Sequence, residues 1–140
     1  MRPEINIGYD ANINDMINTT TGVTTGVITP TIFKNNEYLF KVQLYNVYPT
    51  VYDVSAAVDW KNGIGTVGAD NPLVESNVAA FNTTNAATGY LTIVVNTHST
   101  TLDTDLGLLE QKIYANEIKA DGETTIAQFD IFVKNTVYDD

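Results

Sequence analysis

Asp10, Asn12, Asn14 and Asp15 bring four hard oxygen donors together within six residues of a 140-residue chain, and that donor type suits calcium. The likeness to a calcium loop ends there, because an EF-hand needs Gly where Asp15 stands and Glu where Thr21 stands. The simpler reading is that these side chains form turns by bonding to their own backbone. Calcium is therefore the one cofactor left open, and no other is expected. Transition metals are poorly served, since the chain has no cysteine and one histidine, His98. His98 lies in Asn96-Thr-His-Ser-Thr-Thr101 with no nucleophile motif beside it, and reads as a surface loop residue. Asp103 and Asp105 read as helix-start charges, and Asp139-Asp140 as a solvated tail.

Carbohydrate recognition needs a flat aromatic platform edged by amides and acids, and Trp60, Tyr45, Tyr48 and Tyr52 with Asp59 and Asn62 have that chemistry. Trp60 shares its phase with Tyr52, Val54 and Val58, however, which assigns it to a core. Tyr45, Tyr48, Tyr90 and Asn62 remain as candidate ligand or partner contacts. A glycosidase would need two acids converging at about 5 to 10 Å. No pair among the 17 acids is singled out, and they are explained as a solubilising surface. No catalytic residue is assigned, and the chain is expected not to be an enzyme. Asn18-Thr-Thr and Asn82-Thr-Thr fit the glycosylation pattern, which Thr-rich sequence produces by chance.

A net charge of -10 repels phosphates and anionic membrane faces, so neither nucleic acid nor membrane is an expected partner. No apolar run approaches the length that spans a bilayer, and Met1-Arg-Pro-Glu-Ile5 lacks the apolar stretch of a signal peptide. The chain therefore reads as soluble. Thr, Val and Ile make up about a third of the residues and favour pleated, half-buried surfaces over helices. Without cysteine, stability has to come from burial and ladder hydrogen bonds.

Residues 1–30 are rich in Asn, Asp, Thr and Gly and read as an N-terminal arm. Within them a short strand is predicted near Ile5 to Tyr9, a turn or brief helix after Asp15, and a second strand near Gly22 to Thr29. Residues 31–140 read as a β-sandwich domain. Strands are predicted over Glu37 to Asn46 and over Tyr52 to Trp60, the latter closed by a tight turn at Asn62-Gly63. Further strands are expected over Val74 to Phe81, Tyr90 to Asn96, Lys112 to Ala120 and Ile126 to Val133. One helical turn is expected within Thr101 to Leu109, and a turn at Asp121-Gly122. Single apolar phases assign Phe40, Val42, Leu44, Val54, Val58, Trp60, Leu91, Ile93, Val95, Phe129, Ile131 and Val133 to the core. The fold class that follows is all-β, an antiparallel sandwich of immunoglobulin-like or jelly-roll-like type with an extended N-terminal arm.

From Tyr38 onward, and most plainly from Gly89 to Val137, the chain resembles immunoglobulin-like modules of tailed-phage virion proteins. Four segments carry the resemblance: Leu91-Thr-Ile-Val-Val-Asn-Thr97, Thr100-Thr-Leu102, Gln111-Lys-Ile-Tyr-Ala-Asn-Glu-Ile118 and Ile126-Ala-Gln-Phe-Asp-Ile-Phe-Val133. It is a pattern of strands and turns without a functional motif, so no binding residue is carried over. The resemblance implies a non-enzymatic structural or attachment module of a virion, in a baseplate, tail fibre or head fibre. Its partners would be further copies of itself and other virion proteins, with a host surface glycan as an additional candidate. The competing expectation is a carbohydrate-binding module of a cell-surface or secreted protein.

Overall fold

The period-2 runs become ten β-strands among the described residues of the computed structural model, which are 3–34, 36–66, 74–76, 78–97, 107–116 and 123–134. They are β1 (Glu4–Asp10), β2 (Asp15–Met16), β3 (Thr31–Phe33), β4 (Glu37–Tyr45), β5 (Val58–Gly65), β6 (Val74–Ser76), β7 (Phe81–Asn82), β8 (Tyr90–Asn96), β9 (Gly107–Asn116) and β10 (Glu123–Lys134). One sheet has the order β2-β1-β4-β8-β7 and the other β3-β10-β9-β5-β6. The fold is an all-β sandwich. Both sheets are mixed rather than purely antiparallel, because β1 runs parallel to β4 and β3 parallel to β10. All four edge strands among the described residues are two or three residues long.

The core lies between the sheets and follows the alternation. Phe40, Val42 and Leu44 of β4, Leu91, Ile93 and Val95 of β8, and Phe129, Ile131 and Val133 of β10 all point inward and are buried. Trp60 is buried too, with its ring 5.6 Å from that of Phe81. Each such side chain contributes roughly 1.5 to 3 kcal/mol by leaving water.

The segment expected as an extended arm begins inside the sandwich. β1 pairs with β4 along its whole length, Glu4 opposite Leu39 through Asp10 opposite Tyr45. The reason is its own alternation: Ile7 and Tyr9 add to the inner face and are buried. After Asp15 the chain forms β2, closing a hairpin onto Tyr9 and Asp10, where a turn or brief helix was predicted. No strand forms over Gly22 to Thr29. Gly22 and Gly26 both take left-handed φ there (+75° and +82°), so the segment bends twice despite its Thr and Val content.

The structure differs from five further expectations. Residues 52–57 are not strand, and β5 runs through Asn62-Gly63, which lie between β6 and β9 as ladder residues. Pairing on both sides overrides the turn preference of the dipeptide. Val58 is 52% exposed, because Asp59 takes a left-handed φ of +56° and a bulge between Val58 and Lys61 shifts the phase of the strand before Trp60. The run Val74 to Phe81 is broken by a 3-10 turn at Val78–Ala80, and that break carries the chain from β6 in one sheet to β7 in the other. β9 starts at Gly107, within the stretch expected as a helical turn, and residues 101–106 and 117–122 lie outside the described residues.

Candidate functional site

Where β1 and β4 end together, one carboxylate organises the loops. Asp10 is the last residue of β1, and its Oδ1 accepts the N–H groups of Asn12 (2.9 Å) and Val47 (3.0 Å) while Oδ2 accepts that of Tyr48 (3.1 Å). Burial alone would raise the pKa of this carboxyl, but the N–H groups of Tyr48, Asn12 and Val47 outweigh it and hold the group below its usual 3.8. Val47 sits at φ +62°, a conformation that a β-branched side chain rarely adopts, and the Asp10 contact anchors it. The Tyr48-Pro49 peptide bond that follows is cis.

Tyr48 ties this loop to the segment after β2. Its hydroxyl donates to the carbonyl oxygen of Thr19 at 2.8 Å, and its ring lies so close to Gly22 that a Cβ there would stand 2.2 Å from Cδ1. Tyr45 packs edge-on against it, ring centroids 4.9 Å apart, and burial pushes the Tyr45 phenol above its usual pKa with Tyr48 adding to the effect. The two candidate tyrosines are thus brought together and half-buried. Around them Ile13, Val47 and Val51 are exposed, so this end of the sandwich presents aliphatic side chains on a braced frame. The carboxylate at its centre is already engaged by three backbone N–H groups.

The other candidates separate. Tyr90 begins β8 on the outer face of the first sheet, opposite Gln43 of β4. Asn62 is fully buried, which removes it as a surface contact; its Oδ1 accepts Gln111 Nε2 at 2.8 Å inside the core. Sequence reading placed it in a turn, and burial by β6 and β9 is what changed its role. His98, Asp103, Asp105, Asp139 and Asp140 lie outside the described residues.

Asp10, Asn12, Asn14 and Asp15 fall in the β1–β2 hairpin turn. Asp10 holds the backbone contacts above, Asp15 Oδ1 accepts the Met16 N–H at 2.8 Å, and Asn14 takes the left-handed turn position at φ +52°. A calcium ion would have to compete with three N–H donors for Asp10. Among the described residues, no three His, Asp or Glu side chains gather where they could hold a metal ion. A cleft of about 430 Å3 beside the hairpin does draw Asp15, Glu110 and Asp130 to its lining. Sequence reading missed it, because acids separated by 20 to 115 positions carry no common signal.

No protein-family profile and no curated protein matches the sequence. Among solved structures, the fold is similar to the N-terminal domain of phage TP901-1 ORF48, with a TM-score of 0.58 at 12% identity. The likeness covers 94% of this chain and 98% of that one, so the two share a fold from end to end.

Proposed function

We propose that this protein is a non-enzymatic structural module of a phage virion that acts through protein–protein assembly. The observation that carries the reading is the end-to-end fold likeness to a phage protein domain, which coincides with the strand pattern of Leu91 to Val133 that resembles virion modules. Two surface features support it. Ile13, Val47 and Val51 form the aliphatic end described above, and Phe33, Leu108 and Phe132 are exposed on the second sheet, Leu108 and Phe132 directly opposite in register. Exposed apolar groups of this kind suit contact with a neighbouring protein. The occupied carboxylate of Asp10 and the packed tyrosines fit a part that holds shape rather than one that turns over substrate.

Immunogold labelling of particles from the source phage tests the reading. Label at a fixed place on intact virions is expected, and that place distinguishes baseplate, tail fibre and head fibre. Protein found only in the particle-free fraction would overturn it. Self-association belongs to the same proposal, and sedimentation of the full chain is expected to show an oligomer; a monomer at micromolar concentration would restrict the assembly role to contacts with other virion proteins.

A further inference from the structure

The outer face of the first sheet carries a groove of about 530 Å3, formed where the chain after β2 folds back over β1. Gly8 sets how close that segment lies: a Cβ there would stand 2.5 Å from Thr19 Cγ2 and 2.7 Å from the Ile17 carbonyl oxygen, so a larger residue would lift it off the sheet. The sheet side of the groove is Asn6 of β1, Lys41 and Gln43 of β4 and Tyr90 of β8, and Ile28, 84% exposed, stands on the opposite side. Gln43 Nε2 donates to the Thr88 carbonyl oxygen at 2.8 Å, which fixes the amide and leaves its own oxygen as an acceptor. The Asn6 amide and the Tyr90 hydroxyl carry no hydrogen bond among the described residues.

Charge selects the ligand class. Among the described residues no acid lines this groove, while the neighbouring cleft holds Asp15, Glu110 and Asp130. A cation would find no carboxylate in it. An anion would meet a net charge of -10 and a single ammonium, Lys41, already held 3.1 Å from Glu4. What the lining does offer is amide and hydroxyl groups, each able to donate and accept, beside an aromatic ring. Vicinal hydroxyls match the paired donor and acceptor of an amide, and the C–H face of a pyranose fits against a tyrosine ring. The volume lies within the roughly 300 to 1,000 Å3 of small-ligand sites.

We infer that this groove binds a neutral oligosaccharide. With no acid among the described lining residues, the inference is one of binding and includes no reaction. The inference rests on the groove alone and stands or falls separately from the virion reading.

The test is a printed array of neutral, sialylated and sulfated glycans probed with the full chain, followed by NMR titration of the labelled protein with the best neutral ligand. Saturable shifts centred on Asn6, Gln43, Tyr90 and residues 17–28 are expected, with at least a tenfold loss of affinity in Asn6→Ala and in Tyr90→Ala. Asn6 is exposed, so its variant reports on binding even if Tyr90→Ala disturbs β8, and Tyr90→Phe should weaken binding several-fold with packing intact. The inference is overturned by failure to bind any neutral glycan, by preference for the charged ones, or by shifts centred elsewhere. A partner peptide that fills the groove and is not displaced by any neutral glycan would overturn it equally.

Discussion

In the first sheet β4 pairs with β8 without interruption from Glu37 to Gln43, whereas in the second sheet β5 meets β9 across a bulge between Val58 and Lys61. Both pairs sit centrally in their sheets and both supply core. Along β4 every second residue is buried, so the apolar phase read from sequence is the inner face. Along β5 the phase slips: Val58 and Asp59 are both exposed, Trp60 turns inward, and the next inward position is Asn62. Alternation predicts burial only while successive residues keep extended backbone, and one residue at positive φ is enough to end its authority.

The largest effect should come from breaking the regular pair and sparing the irregular one. Phe40→Ala is expected to cost about 3 to 5 kcal/mol, since the side chain is fully buried and leaves a cavity. Val58→Ala, also an apolar truncation in a central strand, should stay within about 0.5 kcal/mol because the side chain is half in water. Urea denaturation of both variants measures the difference, and similar losses would put the bulge in the wrong place.

This contrast also explains what could be read in advance. β4, β8 and β10 were legible because their inner and outer residues differ in kind, as in Phe40, Val42 and Leu44 against Lys41 and Gln43. The place of β1 was not, since a short strand with Ile7 and Tyr9 on one side does not announce that it will run parallel beside β4. Tyr45 and Tyr48 were legible as surface aromatics, but not as a pair fixed by Asp10 and Gly22, because those contacts span some 25 to 40 positions of chain. Asn62 failed for a related reason. The Asn-Gly dipeptide is a local signal, and the neighbours that enclose it are distant in sequence.

Asp10 gives the second comparison, between an end of the sandwich held by charge and a middle held by apolar contact. Asp10→Ala should cost roughly 2 to 3 kcal/mol, because the N–H groups of Val47 and Tyr48 lose a charged acceptor. The pH dependence has a definite sign. The folded pKa lies below the usual 3.8, so the contribution is fully present above that value and is lost as pH falls through the lowered folded pKa. Acid titration of stability in wild type and Asp10→Asn should therefore converge below that point. Curves that stay parallel would remove the carboxylate as the cause.

Gln111→Leu sharpens the irregular pair itself. Asn62 Nδ2 and Gln111 Oε1 have no partner although both are buried, so the amide pair is held by one hydrogen bond. The single substitution strips Asn62 of that bond and should cost roughly 1 to 3 kcal/mol. Adding Asn62→Leu removes the stranded amide, and the double variant should recover most of the loss. A double variant less stable than either single one would show that the pair contributes more than its desolvation costs.

A small effect is expected at Val47, and its sign is the informative part. Val47 holds φ +62°, where a Cβ crowds the following carbonyl by about 1 to 2 kcal/mol, and its side chain is 56% exposed, so little burial offsets the strain. Glycine relieves the crowding but gains freedom in the unfolded chain, worth about 0.5 to 1 kcal/mol in the other direction. Val47→Gly should therefore stabilise the fold by a few tenths of a kcal/mol up to about 1 kcal/mol, read as a higher urea midpoint at unchanged slope. Set beside Phe40→Ala, this is a truncation that helps, which separates a side chain placed for the core from one placed on an exposed surface. If the variant is more stable yet assembles less well, the strained side chain is a contact; if it is less stable, the Asp10 frame does not hold Val47 in the left-handed conformation seen here.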